Sequence, residues 1–138
     1  MRLEVYSDGG SRGNPGDSAI AFKIVRENGR LLKRYSKCLG IRTNNQAEYE
    51  ALISALKSAS KLTDQKVTCH CYLDSELVVK QLNGEYKVKD PELKTLWFKV
   101  QELKQKFKRI TFTNVSRTNP HIEEVDRLVN EALDRAKK

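Results

Sequence analysis

The stretch Leu3–Leu39, LEVYSDGGSRGNPGDSAIAFKIVRENGRLLKRYSKCL, decides the fold. Leu3 to Ser7 reads as a strand, and Asp8-Gly9-Gly10-Ser11-Arg12-Gly13-Asn14-Pro15-Gly16 is too rich in turn residues for a helix, so it reads as a loop. Strand character returns from about Ser18 to Val25. Asn28-Gly29 then supplies a two-residue hairpin signal before a third strand, Arg30 to Leu39. Strands joined in this way form a three-stranded antiparallel meander.

Beyond it the hydrophobic period changes. Ala51, Leu52, Ala55, Leu56 and Ala59 recur at helical intervals and predict a helix to about Leu62, capped by Asn44 or Asn45. Val67–Leu73 reads as a strand and Ser75–Leu82 as a short helix stopped at Asn83-Gly84. Asp90-Pro91 opens a long helix with a buried stripe of Leu93, Leu96, Trp97, Val100, Leu103 and Phe107. Lys94, Lys99, Lys104, Lys106 and Lys108 lie around its other sides, either as a solvated face or as phosphate contacts. Arg109–Val115 is a last strand and Ile122–Ala136 a terminal helix. Together these elements predict one α/β domain over residues 1–138, an open mixed sheet with helices packed on it.

With 138 residues, 38% of them hydrophobic, the chain can bury one sizeable core. Its 26 Lys plus Arg against 18 Asp plus Glu give a charge of +8, which favours polyanionic partners. No apolar run approaches the roughly 20 residues that cross a bilayer, and Met1 leads straight into a strand, so a cytoplasmic protein without a membrane partner is expected. No apolar stripe is left over once sheet and helices are packed, which predicts a monomer. Cys69 and Cys71 point the same way on one strand, unsuited to a mutual disulfide, and read as reduced core thiols. Cys69-His70-Cys71 lacks the second ligand pair of a zinc site.

The glycine-rich segment invites a nucleotide-binding reading that its spacing refuses. Gly16 is followed by Asp17-Ser18, an acid where a phosphate loop needs lysine, and no helix follows as a dinucleotide fingerprint requires. A hairpin turn, or a loop whose backbone approaches a ligand with Arg12 ready for a phosphate, remains.

Four acids stand in unusual places. Glu48 shares a helix face with Ala51, Leu52 and Ala55, and Asp126 lies on or beside the stripe of Ile122, Val129 and Leu133. Asp8 and Asp74 each close a strand, where α/β sheets build their sites. A buried carboxylate without a partner costs several kcal/mol. Four of them are balanced by two divalent ions, and all-oxygen ligands select Mg²⁺ or Mn²⁺ over zinc. Two ions about 3.5 to 4 Å apart align water with a phosphodiester and stabilise the departing oxygen, which is nuclease chemistry.

Tyr6-Ser7-Asp8-Gly9-Gly10-Ser11, Thr43-Asn44-Asn45-Gln46-Ala47-Glu48, Leu73-Asp74-Ser75 and Val125-Asp126-Arg127-Leu128-Val129-Asn130 resemble, in content and order, type 1 ribonuclease H. The likeness is to an archaeal-like member of the ribonuclease H-like superfamily and runs over essentially the whole chain. It implies a five-stranded mixed sheet, first three strands antiparallel, with helices on both faces. It also implies sequence-independent endonucleolytic cutting of the RNA strand of RNA–DNA hybrids, giving 5′-phosphate and 3′-hydroxyl ends. By position Asp8, Glu48, Asp74 and Asp126 match the family's metal-binding carboxylates, for two Mg²⁺ ions with Mn²⁺ as a substitute. Gly9, Gly10, Ser11 and Asn14 match the loop near the RNA strand, with Arg12 beside them, and Thr43, Asn44 and Asn45 match contacts to the hybrid's backbone or minor groove. That groove displays the 2′-hydroxyls that distinguish RNA from DNA.

Three departures stand out. The loop Val115–His121 offers Arg117 or His121 where bacterial relatives have a histidine that helps product leave, and His121 reads more readily as a polar helix-start residue. Glu76 stands where a substrate-contacting glutamine is usual. Gly84–Pro91 is too short for a separate basic protrusion, part of whose charge Lys80, Lys87 and Lys89 replace. A non-catalytic binding module is disfavoured, since four acids facing a phosphate backbone gain it nothing. A preference for double-stranded RNA stays open, because several nuclease families share the fold.

Overall fold

The antiparallel meander is longer than the sequence signals suggest. In the computed structural model, which describes residues 1–137, β1 (Arg2–Gly13) pairs with β2 (Gly16–Arg26) from Leu3↔Arg26 to Gly13↔Gly16. Strand β3 (Leu31–Arg42) pairs antiparallel with β2, with register irregularities at Ser18/Ala19 and Ile24/Val25. The expected loop Asp8–Gly16 is therefore mostly strand, and only Asn14-Pro15 turns the chain. The physical reason is that Asp8–Gly13 find ladder partners in β2, which outweighs the weak strand preference of glycine.

Chain direction changes at α1 (Asn44–Ser60), which crosses over to β4 (Thr68–Leu73), parallel to β1 from Arg2↔Thr68 to Tyr6↔Tyr72. Two helices, α2 (Glu76–Leu82) and α3 (Pro91–Lys104), then lead to β5 (Arg109–Asn114), parallel to β4, and α4 (Pro120–Ala136) follows. The five-stranded mixed sheet has the order β3-β2-β1-β4-β5.

Alternation along the strands builds a core on each face. Leu3 and Val5 of β1, Phe22 and Ile24 of β2, and Cys69, Cys71 and Leu73 of β4 pack against α1, α2 and α3. On the other face Tyr6, Ala19 and Ala21 meet Ile122, Val125, Val129, Ala132 and Leu133 of α4. Cys69 and Cys71 are buried free thiols with sulfurs 3.9 Å apart, and Cys38 is an exposed free thiol. Among the described residues no helix is long and apolar enough to cross a membrane.

The cap of α1 is Thr43, not Asn44 or Asn45. Its hydroxyl accepts from the Gln46 N–H at 3.1 Å while the Gln46 side chain accepts from the Thr43 N–H at 2.9 Å, a capping box that satisfies two otherwise orphaned donors. Asn44 is thereby free for other partners. The start of α1 also lies hard against β1, because a Cβ on Gly9 would come within 2.1 Å of the Ala47 carbonyl oxygen. Backbone meets backbone there, and neither can yield. Gly9→Ala is expected to cost about 3 kcal/mol by overpacking, whereas Gly10→Ala, whose Cβ meets only the Val129 side chain at 3.7 Å, should stay within about 0.5 kcal/mol of the parent. Denaturant midpoints check both.

Candidate active site

Asp8 and Asp74 occupy equivalent places on neighbouring parallel strands. Each lies two residues past the last register pair, Tyr6↔Tyr72, whose rings stack with centroids 5.1 Å apart. Asp8 therefore does not close β1, as its turn-rich surroundings suggested, but sits inside it beyond the reach of β4. By alternation its side chain is on the α4 face, beside Tyr6. Glu48 comes from the first turns of α1, and the missing side chain at Gly9 lets it reach the same spot: the Gly9 N–H donates to Glu48 Oε1 at 3.4 Å.

Carboxylate oxygens of Asp8, Glu48 and Asp74 all lie within 4.8 Å of one another. Asp8 and Glu48 are buried and Asp74 partly so. These three acids floor a cleft of about 390 Å³ whose walls include Gly9, Gly10, Ser11, Arg12, Asn44, Asn45, Ser75, Arg117, Asp126 and Asn130. Asp126 completes the set from α4 but is exposed, so the expectation of a carboxylate on the buried stripe needs correction. Val125 and Val129 take the buried positions and turn Asp126 to the helix edge, over the cleft.

Crowding perturbs these acids. Burial, and then the charges of Asp74 and Asp126, push Asp8 up to about 7, while a hydrogen bond with Glu48 pulls it down. Burial and then the neighbouring Asp8 raise Glu48 well above the carboxylate range. Asp74 is raised by burial, against the nearby Arg117, whose Nε stands 4.0 Å from its Oδ2. Buried Glu48 Oε2 has no hydrogen-bond partner. Only a proton or a cation satisfies it, and a cluster made of carboxylates alone fits a hard divalent cation.

The other residues divide by their partners. The Ser11 N–H and hydroxyl both reach Asn44 Oδ1, at 2.9 and 3.1 Å, and the Asn44 N–H donates to Asn14 Oδ1 at 3.0 Å. Asn14 and Thr43 thus brace the wall without lining it. Arg12 lines the cleft and bonds to Asp134 of α4 at 2.8 Å. Glu76 is exposed, pairs with Lys80 at 2.9 Å and lies outside the lining. His121 is remote from the cleft wall, stacked on Tyr6 with centroids 4.3 Å apart and 3.0 Å from Lys23 Nζ, as befits a helix-start residue. Arg117, 88% exposed, is the one of that pair that borders the acids. Sequence reasoning passed over Ser75, the cap of α2, and Asn130, although Asn130 follows Asp126 by one helical turn and so shares its face.

The raised acids set a pH dependence with a definite sign. A carboxyl whose folded-state pKa exceeds its unfolded value stabilises the fold below the unfolded pKa and loses that contribution as pH rises through the folded one. In chelator, the melting temperature should therefore fall between about pH 4 and 7, from the ordinary carboxylate value to that of Asp8, raised to about 7. Divalent cation should restore it at the alkaline end and do little at the acid end, where protons occupy the same oxygens. Thermal melts across that range, with and without cation, check this; a rise with pH in chelator would contradict it.

Comparison with known proteins bears on the same residues. Residues 6–132 match the family model described as reverse transcriptase-like. Ribonuclease HI of Halobacterium salinarum is 39% identical over 98% of this chain and 66% of its own length, and the crystal structure of RNase H1 from that archaeon superposes with a TM-score of 0.91 over 98% of this chain and 99% of that one. The N-terminal RNase H domain of Rv2228c from Mycobacterium tuberculosis gives 0.92 at 36% identity, covering 99% of this chain and 96% of that one. LC11-RNase H1, solved with an RNA/DNA hybrid, gives 0.89 at 40% identity over 99% of both chains. The chain spans 66% of the halobacterial protein and 36% of full-length bifunctional Rv2228c. With the fold, the acidic cluster and the family model in agreement over nearly all of its length, the chain belongs to the ribonuclease H family.

Proposed function

We propose that this chain is an endonuclease that hydrolyses the RNA strand of RNA–DNA hybrids without regard to sequence, leaving 5′-phosphate and 3′-hydroxyl ends. The observation that carries this reading is the trio Asp8, Glu48 and Asp74, gathered within 4.8 Å on the floor of an open cleft with Asp126 above it. The likeness to LC11-RNase H1, whose structure contains an RNA/DNA hybrid, supports the substrate.

Asp8, Glu48, Asp74 and Asp126 would hold two Mg²⁺ ions, with Mn²⁺ as a substitute, since four negative charges match two divalent cations. When bound, such a pair supplies positive charge on both sides of the scissile phosphate and lowers the pKa of the attacking water. The walls do the rest. Amide and hydroxyl groups of Ser11, Asn44 and Asn45 offer donors and acceptors to 2′-hydroxyls and the sugar–phosphate backbone, contacts that read RNA rather than base sequence. Gly9 and Gly10 keep that strand's approach open, and Asn14 and Thr43 hold Asn44 in place. Arg12 and Arg117 place positive charge at the two sides of the cleft for phosphates, and Arg117, beside Asp74, favours departure of the cut strand by competing for that carboxylate. Glu76, its charge offset by Lys80, follows the cleft residue Ser75 and contacts the substrate from the start of α2. Farther along, Tyr86, Lys87, Lys94 and Trp97 border a second groove, where lysines give the duplex a basic path. Residues 1–138 act as a single domain, as a monomer and in the cytoplasm.

The variants Asp8→Asn and Asp126→Asn should each lower hybrid cleavage by at least about a hundredfold, comparable to removing a main transition-state contact, with unchanged circular dichroism. Near-normal activity in both would sink the proposal. Labelled RNA–DNA, RNA–RNA and DNA–DNA duplexes, offered in Mg²⁺ and in Mn²⁺, should show cutting of the RNA strand of the hybrid; equal cutting of double-stranded RNA would widen the substrate class.

A further inference from the structure

Tyr49, next in sequence to Glu48, is the largest of the fully buried side chains. Its hydroxyl donates to Gln81 Oε1 at 2.6 Å, and Gln81 is itself only 6% exposed. The backbone carbonyl of Gln81 accepts from Trp97 Nε1 at 3.2 Å. A single residue near the end of α2 thus joins α1 and α3.

The importance of this junction follows from the size of α2. At seven residues it is too short to hold its own shape or direction, so its orientation comes from its contacts. Asp74 and Ser75 stand at its amino end, where the Ser75 hydroxyl caps it by accepting from the Val78 N–H at 3.3 Å. At its other end Asn83 Nδ2 donates to the Phe112 carbonyl of β5 at 3.1 Å. Close-packed contacts of Val78, Val79 and Leu82 seat the helix on the core. The Tyr49–Gln81 bond adds a directional restraint to that packing, and it starts one residue from Glu48.

We propose that Tyr49 and Gln81 form a positioning clamp that sets Asp74 and Ser75 at their working distance from Glu48. Neither lines the acidic cleft, and although Gln81 borders the second groove, metal binding without substrate reads its effect on the acids alone. A Phe–Leu pair would fill the same space and leave no polar group to satisfy; the buried hydrogen bond adds a fixed separation between α1 and α2. The clamp rests on the reading that the acids hold divalent cations.

Isothermal titration of Mn²⁺, and separately of Mg²⁺, into metal-free Tyr49→Phe, Gln81→Leu and the double variant tests the clamp, alongside melting temperatures. The Tyr49→Phe variant should bind Mn²⁺ about three- to tenfold more weakly, the effect of one net hydrogen bond. The double variant leaves no orphaned polar group and should recover the melting temperature but not the affinity. Mn²⁺ affinities within about twofold of the parent in all three variants, the usual scatter of independent sites, would reduce the pair to core packing and overturn the clamp. Recovery of affinity in the double variant would overturn it equally. If the parent itself bound neither ion, the metal reading would fall and take the clamp with it.

Discussion

Repulsion among Asp8, Glu48 and Asp74 is the constraint on which the rest of this structure depends. Burying even one unpaired carboxylate costs several kcal/mol, and here two buried acids face each other with a third beside them. Left to themselves they would separate. They stay together because each is attached to an element held by other contacts: Asp8 to a strand paired along its length, Glu48 to a helix capped and pressed against that strand, Asp74 to the junction between the end of the adjoining parallel strand and α2, which the Tyr49–Gln81 bond ties to α1. Wholly buried Leu3, Val5, Leu52, Leu56 and Leu73 supply the packing that offsets the repulsion. The pKa values of Asp8 and Glu48 are raised first by burial and then by their neighbours' charges.

The same constraint explains the surrounding chemistry. Arg117 and Arg12 stand at the rim, and the net charge of +8 lies outside a cluster that turns strongly negative as its acids ionise. A polyanion is therefore attracted by the surface and repelled by the floor of the cleft, a contradiction resolved only with cations between acids and phosphate. This is the physical content of the family's dependence on divalent metal, and it follows from the position of the acids.

Much of this was readable in the residues because it depends on local pattern. The helical period of Ala51 to Ala59 and the Asp90-Pro91 start reflect interactions within a few positions, and both helices appear where their patterns placed them. Asn28-Gly29 marks the right connection, but β2 ends at Arg26 and β3 starts at Leu31, a longer turn than the two-residue hairpin expected. Glycines at positions 9, 10 and 13 misled, because strand continuity there comes from β2 and from the close approach of α1, which no local preference records. The cap at Thr43 was legible, since Thr43-Asn44-Asn45-Gln46 has capping-box spacing, but two adjacent asparagines offered a competing choice. Tyr49–Gln81 joins residues 32 apart, and nothing in either neighbourhood signals it.

Asp126 differs from the other three acids in a way that follows from the two cores. Glu48 is carried by α1 on one side of the sheet, whereas Asp126 rides on α4, packed on the opposite side through Ile122, Val125 and Val129. Asp8 lies within β1 and Asp74 just beyond β4, strands that both cores share. The Asp8 side chain meets Asp126 from one direction and Glu48 from the other, so the relative placement of the two halves of the site is set through β1. That explains why β1 must continue past Tyr6 in spite of its glycines. Ending the strand there would leave Asp8 on a loop, out of register with Asp74 on the neighbouring strand.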